Sequence, residues 1–329
     1  MDEINEKEKE LFIRYGTAAS EAMFDFPCNF FQIPDCTGIM AYRIEFNCAV
    51  VFGGPICPPH ETSKLIEAFH SFCHESNFNI IYVIVSEKFA KWAKENYDYN
   101  ILIEVCEEFI FDPEFDPCLA SNRLRHRVEK ALKHGLTVHE YIPFDADIEN
   151  SLKQVGIKWQ QAIKGSQIYL GHLNFFENYA GKRWFYVKDG EQITSMIMLS
   201  RVEACEGWLL KFLITSPGAF HDTSEFLMTS VLKILRKENC HFLTKGMVPA
   251  NSLGEVSGLG SFSTGVARGI YKIINWIFKF KKRKEYWLRY NPKVAPAYLL
   301  LCRPHIGLNE IRALMKIFRT SRSLLNNQH

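Results

Sequence analysis

The chain has 329 residues, 47% of them apolar, and a formal net charge of +2, enough to bury one large core or two ordinary ones. No run approaches about 18 uninterrupted apolar residues, which excludes a membrane-spanning helix. The near-neutral total hides an imbalance, since residues 1–118 hold 8 Lys/Arg against 21 Asp/Glu and residues 119–329 hold 31 against 16. Either the two parts neutralise each other across an interface, or the later part meets a polyanion such as RNA, a phosphate group or an anionic membrane.

The start, Met1-Asp2-Glu3-Ile4-Asn5-Glu6-Lys7, lacks the basic and apolar regions of a signal peptide. Residues 38–46 and 48–53 read as a strand pair turning near Asn47. A helix is predicted over 61–76, with Thr62 or Ser63 as its cap. His70 and His74 stand four apart on it, but no third ligand completes a metal motif, so helix-surface histidines are the reading and no metal site is expected. Phe89, Trp92 and Ala93 suggest another helix, followed by strands near 101–111. Asp112-Pro113 through Asp116-Pro117 reads as a linker, because prolines break either periodicity. A basic helix over 121–134 is closed by Gly135. A further helix is predicted over 147–163. The run Trp184-Phe185-Tyr186-Val187, then Asp189-Gly190 and an apolar stretch over 193–199, is a hairpin signal. Strand 207–214, helix 224–238 and strand 241–245 follow. The Gly- and Ser-rich stretch 249–264 reads as an ordered loop near a site. The ten cysteines include no CxxC pair and no zinc-spaced cluster, and Cys48, Cys240 and Cys302 sit in apolar runs. A reducing, cytoplasmic compartment is therefore expected.

One pattern occurs twice. An apolar run (Ala49 to Phe52) leads through Pro55 into His60-Glu61-Thr62-Ser63, a helical stripe and Asn77. Trp208-Leu209-Leu210 leads through Pro217 into His221-Asp222-Thr223-Ser224, a second stripe and Asn239. Pro55, Leu65, Phe69, Phe72 and Asn77 have counterparts 162 residues on, and the four polar residues have theirs 161 on. A duplicated strand–helix–strand unit predicts an α/β (α+β) fold of two similar halves, 1–118 and 119–329, with a site between or beside them, and the second copy, which carries Lys211, the Gly246 loop and the basic tail, is where the chemistry is expected.

Four stretches carry a resemblance: 121–127 before the basic helix; 182–190; Ser216-Pro217 through Glu225-Phe226-Leu227 to Lys245-Gly246-Met247-Val248-Pro249; and Arg289-Tyr290-Asn291-Pro292 with Pro296-Ala297-Tyr298-Leu299. Tyr15-Gly16, Ala41-Tyr42-Arg43 and Gly53-Gly54-Pro55 fit as well. On these residues the chain resembles the C-terminal domain family of phosphatidylglycerol lysyltransferases, the aminoacyl-phosphatidylglycerol synthases. The resemblance covers most of the chain. It implies tandem GNAT-like (acetyltransferase-like) repeats, with mixed sheets flanked by helices, and transfer of an aminoacyl group from aminoacyl-tRNA to a lipid. Where the family has Asp-Leu-Met-Arg, this chain has Lys211-Phe212-Leu213-Ile214, and Arg289-Tyr290-Asn291-Pro292 stands for the family's closing Lys-Phe-x-Pro.

Candidate roles follow from charge and from the resemblance together. Arg123, Arg125 and Arg127 would contact phosphates of tRNA or a lipid headgroup, or form a solvated helix face. Lys211, mid-strand among apolar neighbours, and Lys245 would face the reacting carbonyl, with Asn251 and Ser252 holding it. Lys211 reads equally as a half-exposed strand residue, and 245–252 as an ordinary loop. Arg289 and Tyr298 would close the site. In 268–293, Ile270, Ile273, Ile274, Ile277 and Phe278 share a helical face that runs into Lys279, Lys281, Lys282, Arg283 and Lys284. That suits peripheral contact with an anionic phospholipid membrane, on its cytoplasmic face, or with another polyanion; a core helix followed by an exposed basic loop is the plainer reading. The turns 53–59 and 216–221 carry prolines and no Lys or Arg, which disfavours coenzyme A, and no cofactor is expected. The alternatives are an acyltransferase using acyl-CoA or acyl carrier protein, and a non-catalytic module for anionic membranes or nucleic acid.

Overall fold

The apolar strands assemble into one mixed sheet. The computed structural model of the chain describes residues 5–24, 27–97, 101–162, 176, 179–260, 264, 265, 267, 268, 271 and 280–319. Among these, the strands are β1 (Asn29–Phe31), β2 (Met40–Glu45), β3 (Cys48–Phe52), β4 (Asn79–Ser86), β5 (Ile101–Phe111), β6 (Thr137–Glu140), β7 (Lys182–Asp189), β8 (Gln192–Val202), β9 (Gly207–Thr215), β10 (Leu243–Pro249), β11 (Val256–Ser257) and β12 (Lys293–Leu301). The order across the sheet is β1-β2-β3-β4-β12-β5-β10-β9-β8-β7-β6, with β11 on β5. The tail of the chain is thus stitched into the middle, where β12 pairs antiparallel with both β4 and β5.

The sequence repeat is a structural one. β3, helix α2 (Thr62–Glu75) and β4 form one unit with its two strands parallel; β9, helix α7 (Thr223–Lys237) and β10 form the other. The asparagines that end the helices both adopt left-handed backbone, Asn77 at φ 60° and Asn239 at φ 56°. So do Ile84 (φ 58°) and Gly246 (φ 77°), the same repeat distance apart, each at an interruption in its strand's register. A left-handed backbone is costly for the β-branched Ile84 and cheap for a glycine. The second copy therefore bulges at lower cost than the first. This is the tandem GNAT-like α/β architecture expected from the sequence.

Helices cover both faces. In the first part α2 and α3 (Glu87–Asn96) pack on one side, through Leu65, Ile66, Phe69 and Ala90. On the other side α1 (Glu6–Tyr15) and the last helix, Leu308–Arg319, pack through Leu11, Phe12, Ala313 and Ile317. In the second part α7 and the basic helix α5 (Asn122–His134) share one core, and α6 (Ala146–Ala162) packs opposite through Leu152 and Val155. Between α3 and α5, the proline-bounded stretch turns into a short helix α4 (Pro117–Ala120) capped by Asp116. Ser121 caps α5, accepting from the Leu124 amide at 3.2 Å, and Gly135 closes it at φ 92°. The cap expected for α2 is different. A 3-10 turn, Pro59–Glu61, runs directly into the helix, so neither Thr62 nor Ser63 accepts its first amides; Glu61 instead accepts the Thr37 amide at 2.7 Å.

The two helix histidines do not share a site, since His74 is exposed whereas the His70 Nε2 lies 3.0 Å from the Tyr82 hydroxyl. Burial lowers the His70 pKa from 6.5 to about 4. Because the folded value lies below the unfolded one, the unfolded chain takes up the proton first. His70 should therefore leave stability nearly untouched above pH 6.5 and remove about 3 kcal/mol as pH falls toward 4. Urea unfolding at pH 7.5 and pH 4.5 should show that loss in the native chain and a smaller one in His70→Gln.

Candidate active site

The two repeats differ in how far their parallel strands stay together. β3 and β4 pair over five positions, from Cys48↔Asn79 to Phe52↔Val83. β9 and β10 pair over two, Trp208↔Leu243 and Leu209↔Thr244. Beyond that point both strands bulge. Opposite β8, Leu210 and Phe212 face Leu199 and Met198, which leaves Lys211 as the extra residue. Opposite β5, Thr244 and Gly246 face Ile110 and Phe109, which leaves Lys245 extra. A bulge bends and twists its strand, and two of them side by side let the strands part.

A cavity of about 300 Å³ lies past the β9 bulge, lined by Leu213 and Thr215 of β9, Ser224 of α7, Trp159 of α6, and Tyr286 and Trp287 of helix α8 (Phe280–Leu288). The Lys245 Nζ lies 5.6 Å from the centroid of the Trp287 ring, and the Arg289 guanidinium 4.7 Å from that of Tyr286. Burial pushes the Tyr286 hydroxyl up to about 12, so it stays protonated and able to donate; the Tyr290 hydroxyl lies 3.1 Å from it.

Beside the cavity is a buried carboxylate. Glu225, 3% exposed, sits in the first turn of α7 and accepts from Arg127 at 2.6 Å and from Arg289, both through Oε1. Its Oε2 accepts the Ser224 hydroxyl at 2.8 Å. Asp222, also buried, lies 3.5 Å from Arg127 and 2.9 Å from the His221 Nε2. One carboxylate therefore ties α5, α7 and the chain after α8 together, with the outer parts of both arginines at the surface.

Of the residues singled out in the sequence, Lys245 and Arg289 lie over lining rings of this cavity, and Arg127 reaches Glu225 beside it. Arg123 and Arg125 point outward on α5, and Arg125 donates to Asn122 at 2.9 Å. Lys211 turns onto Glu21, which belongs to a 3-10 turn, Ser20–Phe24, from the first part of the chain. Asn251 and Ser252 are exposed in a loop whose flanking amides, Ala250 and Gly254, donate to Val105 and Glu104 of β5. Tyr298 is buried on β12 in the core of α2 and α3, away from Arg289. Lys279 lies outside the described residues, as do the side chains of Lys281, Lys282 and Arg283 on α8; Lys284 pairs with Glu107.

Sequence reasoning missed Glu225 as a site residue, along with Tyr286, Trp287 and Trp159. One signal was present: Glu225 lies three residues before Met228 on the otherwise apolar stripe of α7, and an acid there must find a partner. The aromatic pair gave no such signal, because nothing local separates lining rings from core rings.

A family profile described as phosphatidylglycerol lysyltransferase, C-terminal, matches residues 14–301. The phosphatidylglycerol lysyltransferase of Staphylococcus aureus (strain COL) is 20% identical over 320 residues, covering 94% of this chain and 37% of that protein. That of Staphylococcus epidermidis is 22% identical, covering 85% and 33%. The chain thus spans little more than a third of the curated relatives it matches. Among solved structures, L-PGS from Bacillus licheniformis superposes with a TM-score of 0.73 at 18% identity, covering 92% of this chain and 94% of that one. The C-terminal domain of an Agrobacterium fabrum protein named for lysylphosphatidylglycerol synthetase gives 0.72 at 16% identity, covering 96% of each. At these identities the superpositions establish the fold.

Proposed function

The chain belongs to the family of phosphatidylglycerol lysyltransferase C-terminal domains, and on that premise we propose that it is an aminoacyltransferase that moves an aminoacyl group from tRNA to a phosphatidylglycerol-type lipid. The observation that carries the reading is the cavity beside the outer part of β9, with a protein cation over each of two of its rings. The reaction breaks the ester between the aminoacyl carbonyl and the terminal ribose oxygen and forms a new ester with a lipid hydroxyl, whose proton ends on the ribose oxygen. The donor ester is already activated. The protein must therefore align the two substrates and stabilise the tetrahedral oxyanion.

In this proposal Lys245, beside Trp287 at the bulge, supplies the positive charge for the oxyanion, and the neutral Tyr286 hydroxyl supplies a hydrogen bond. The outer parts of Arg127 and Arg289, together with the exposed Arg123 and Arg125, receive phosphates. Lys211, paired with Glu21, holds the N-terminal segment against the bulge of β9. The basic composition of 279–284 suits anionic headgroups, and the reaction is proposed to take place at the cytoplasmic face of the membrane. Lipid profiling by mass spectrometry, in cells with and without the chain, should reveal an amino-acid-bearing lipid that depends on it. An unchanged lipidome would contradict the proposal.

A further inference from the structure

Resting on the aminoacyl transfer proposed above, we propose that Thr215 holds a hydrogen-bond donor of a substrate through a hydroxyl that can only accept, and that the buried Ser195 is the positioning residue that makes it so. The group held is the attacking hydroxyl of the lipid or the α-amino group of the aminoacyl donor. Ser195 and Thr215 stand opposite each other on β8 and β9. Ser195 is fully buried, and its hydroxyl lies 2.8 Å from the Ile214 carbonyl oxygen and 2.9 Å from the Thr215 hydroxyl. A serine hydroxyl has one proton. The carbonyl has none to give, so the Ser195 proton goes to Ile214 and the contact between the hydroxyls uses the proton of Thr215. On the cavity wall Thr215 then turns only lone pairs toward a ligand.

The other hydroxyls of the wall are engaged differently. Ser224 donates to Glu225 Oε2 at 2.8 Å. The Tyr286 hydroxyl meets both Ser224 and Tyr290, and burial keeps it protonated. The wall thus combines a protonated hydroxyl in Tyr286, suited to a carbonyl oxygen, with an acceptor in Thr215. Among the described residues no side chain other than Ser195 hydrogen-bonds to Thr215. A ligand ether or carbonyl oxygen at that point would meet it lone pair to lone pair, whereas an O–H or N–H completes it. Valine matches threonine in shape and lacks the acceptor, so it would leave the same donor without a partner.

Calorimetric titration of the full chain with two matched pairs of probes tests the inference. The first pair is soluble dihexanoyl phosphatidylglycerol and its counterpart with both headgroup hydroxyls O-methylated. The second is leucinamide and 2-methoxy-4-methylpentanamide, which carries a methyl ether in place of the α-amino group. In at least one pair the donor-bearing member should bind about fivefold or more tightly, and that pair tells which group Thr215 holds. Thr215→Ser should keep the preference, and Thr215→Val should reduce it to about twofold or less. In Ser195→Ala the Thr215 proton is released, so the ether should bind more tightly than it does to the native chain, a gain that a merely structural role of Ser195 would not produce. That gain decides alone if the valine variant fails to fold. Absence of a preference in both pairs overturns the inference, as does a preference that survives in Thr215→Val or an ether whose binding does not improve in Ser195→Ala. The transfer assay separates the inference from the reaction on which it rests. Transfer at the native rate by Thr215→Val keeps the reaction and overturns the inference. A Thr215-dependent preference in a chain that transfers nothing keeps the binding role and overturns the reaction.

Discussion

Replacing Arg127 and Arg289 together with methionine should destabilise the fold by about 3–5 kcal/mol, a large part of the total stability of a domain. The reason is the asymmetry of the cluster. Glu225 is 3% exposed, while the two arginine side chains are 28% and 32% exposed. Removing the cations leaves a buried carboxylate with only the Ser224 hydroxyl among its recorded partners. That group must then protonate or draw in water. Adding Glu225→Leu to the double variant removes that stranded charge and should recover part of the loss, the rest remaining because Asp222 is still buried without Arg127. Urea denaturation of the native, double and triple variants measures this. If the double variant is as stable as the native chain, the cluster does not hold α5, α7 and the α8 segment together. The recovered triple variant should still be inactive, since it lacks the cations proposed to receive phosphate.

Lys245→Met should lower the transfer rate by about 10²–10³-fold. The methionine keeps an apolar stem against Trp287 and removes only the charge. Substrate binding at the exposed arginines is untouched, so the loss should fall on kcat and leave KM for the charged tRNA nearly unchanged. Lys211→Met makes the contrast. Lys211 is 20% exposed and its partner Glu21 13%, so its loss takes an ion pair from a largely buried acid and should appear first as a lower melting temperature. A Lys245→Met chain that retains the full rate would remove Lys245 from the chemistry.

Much of this architecture was legible in the residues. The repeat was visible because a strand–helix–strand unit needs the same turn and cap residues each time it is built, and Asn77 and Asn239 hold the left-handed positions that end both helices. The hairpin of β7 and β8 and the Gly135 cap followed from local chemistry alone. The central place of β12 did not. Pro296 lies inside that strand, and a proline normally argues against a strand paired on both sides. Only the long-range pairing with β4 and β5 overrides that local signal.

The site was legible in its charges and not in its geometry. Arg127 and Arg289 could be picked out as candidates, yet their shared partner Glu225 is 98 residues from the first and 64 from the second. No spacing rule reaches that far. Lys211 and Lys245 looked alike as charges on apolar strands. A one-residue bulge at each, which depends on the neighbouring strands, sends Lys211 to Glu21 and Lys245 to Trp287. Tyr298 and Arg289 lie near each other in sequence, but β12 carries the tyrosine away into the core of α2 and α3.

The most direct measurement mixes the purified chain with tRNA charged with a radiolabelled amino acid, several donors being taken in turn, and with vesicles containing phosphatidylglycerol, and follows label into the organic phase. The account predicts label in an alkali-labile aminoacyl lipid, at a rate that falls steeply in Lys245→Met. Label that stays on tRNA or appears only as free amino acid, whichever donor is supplied, would contradict it.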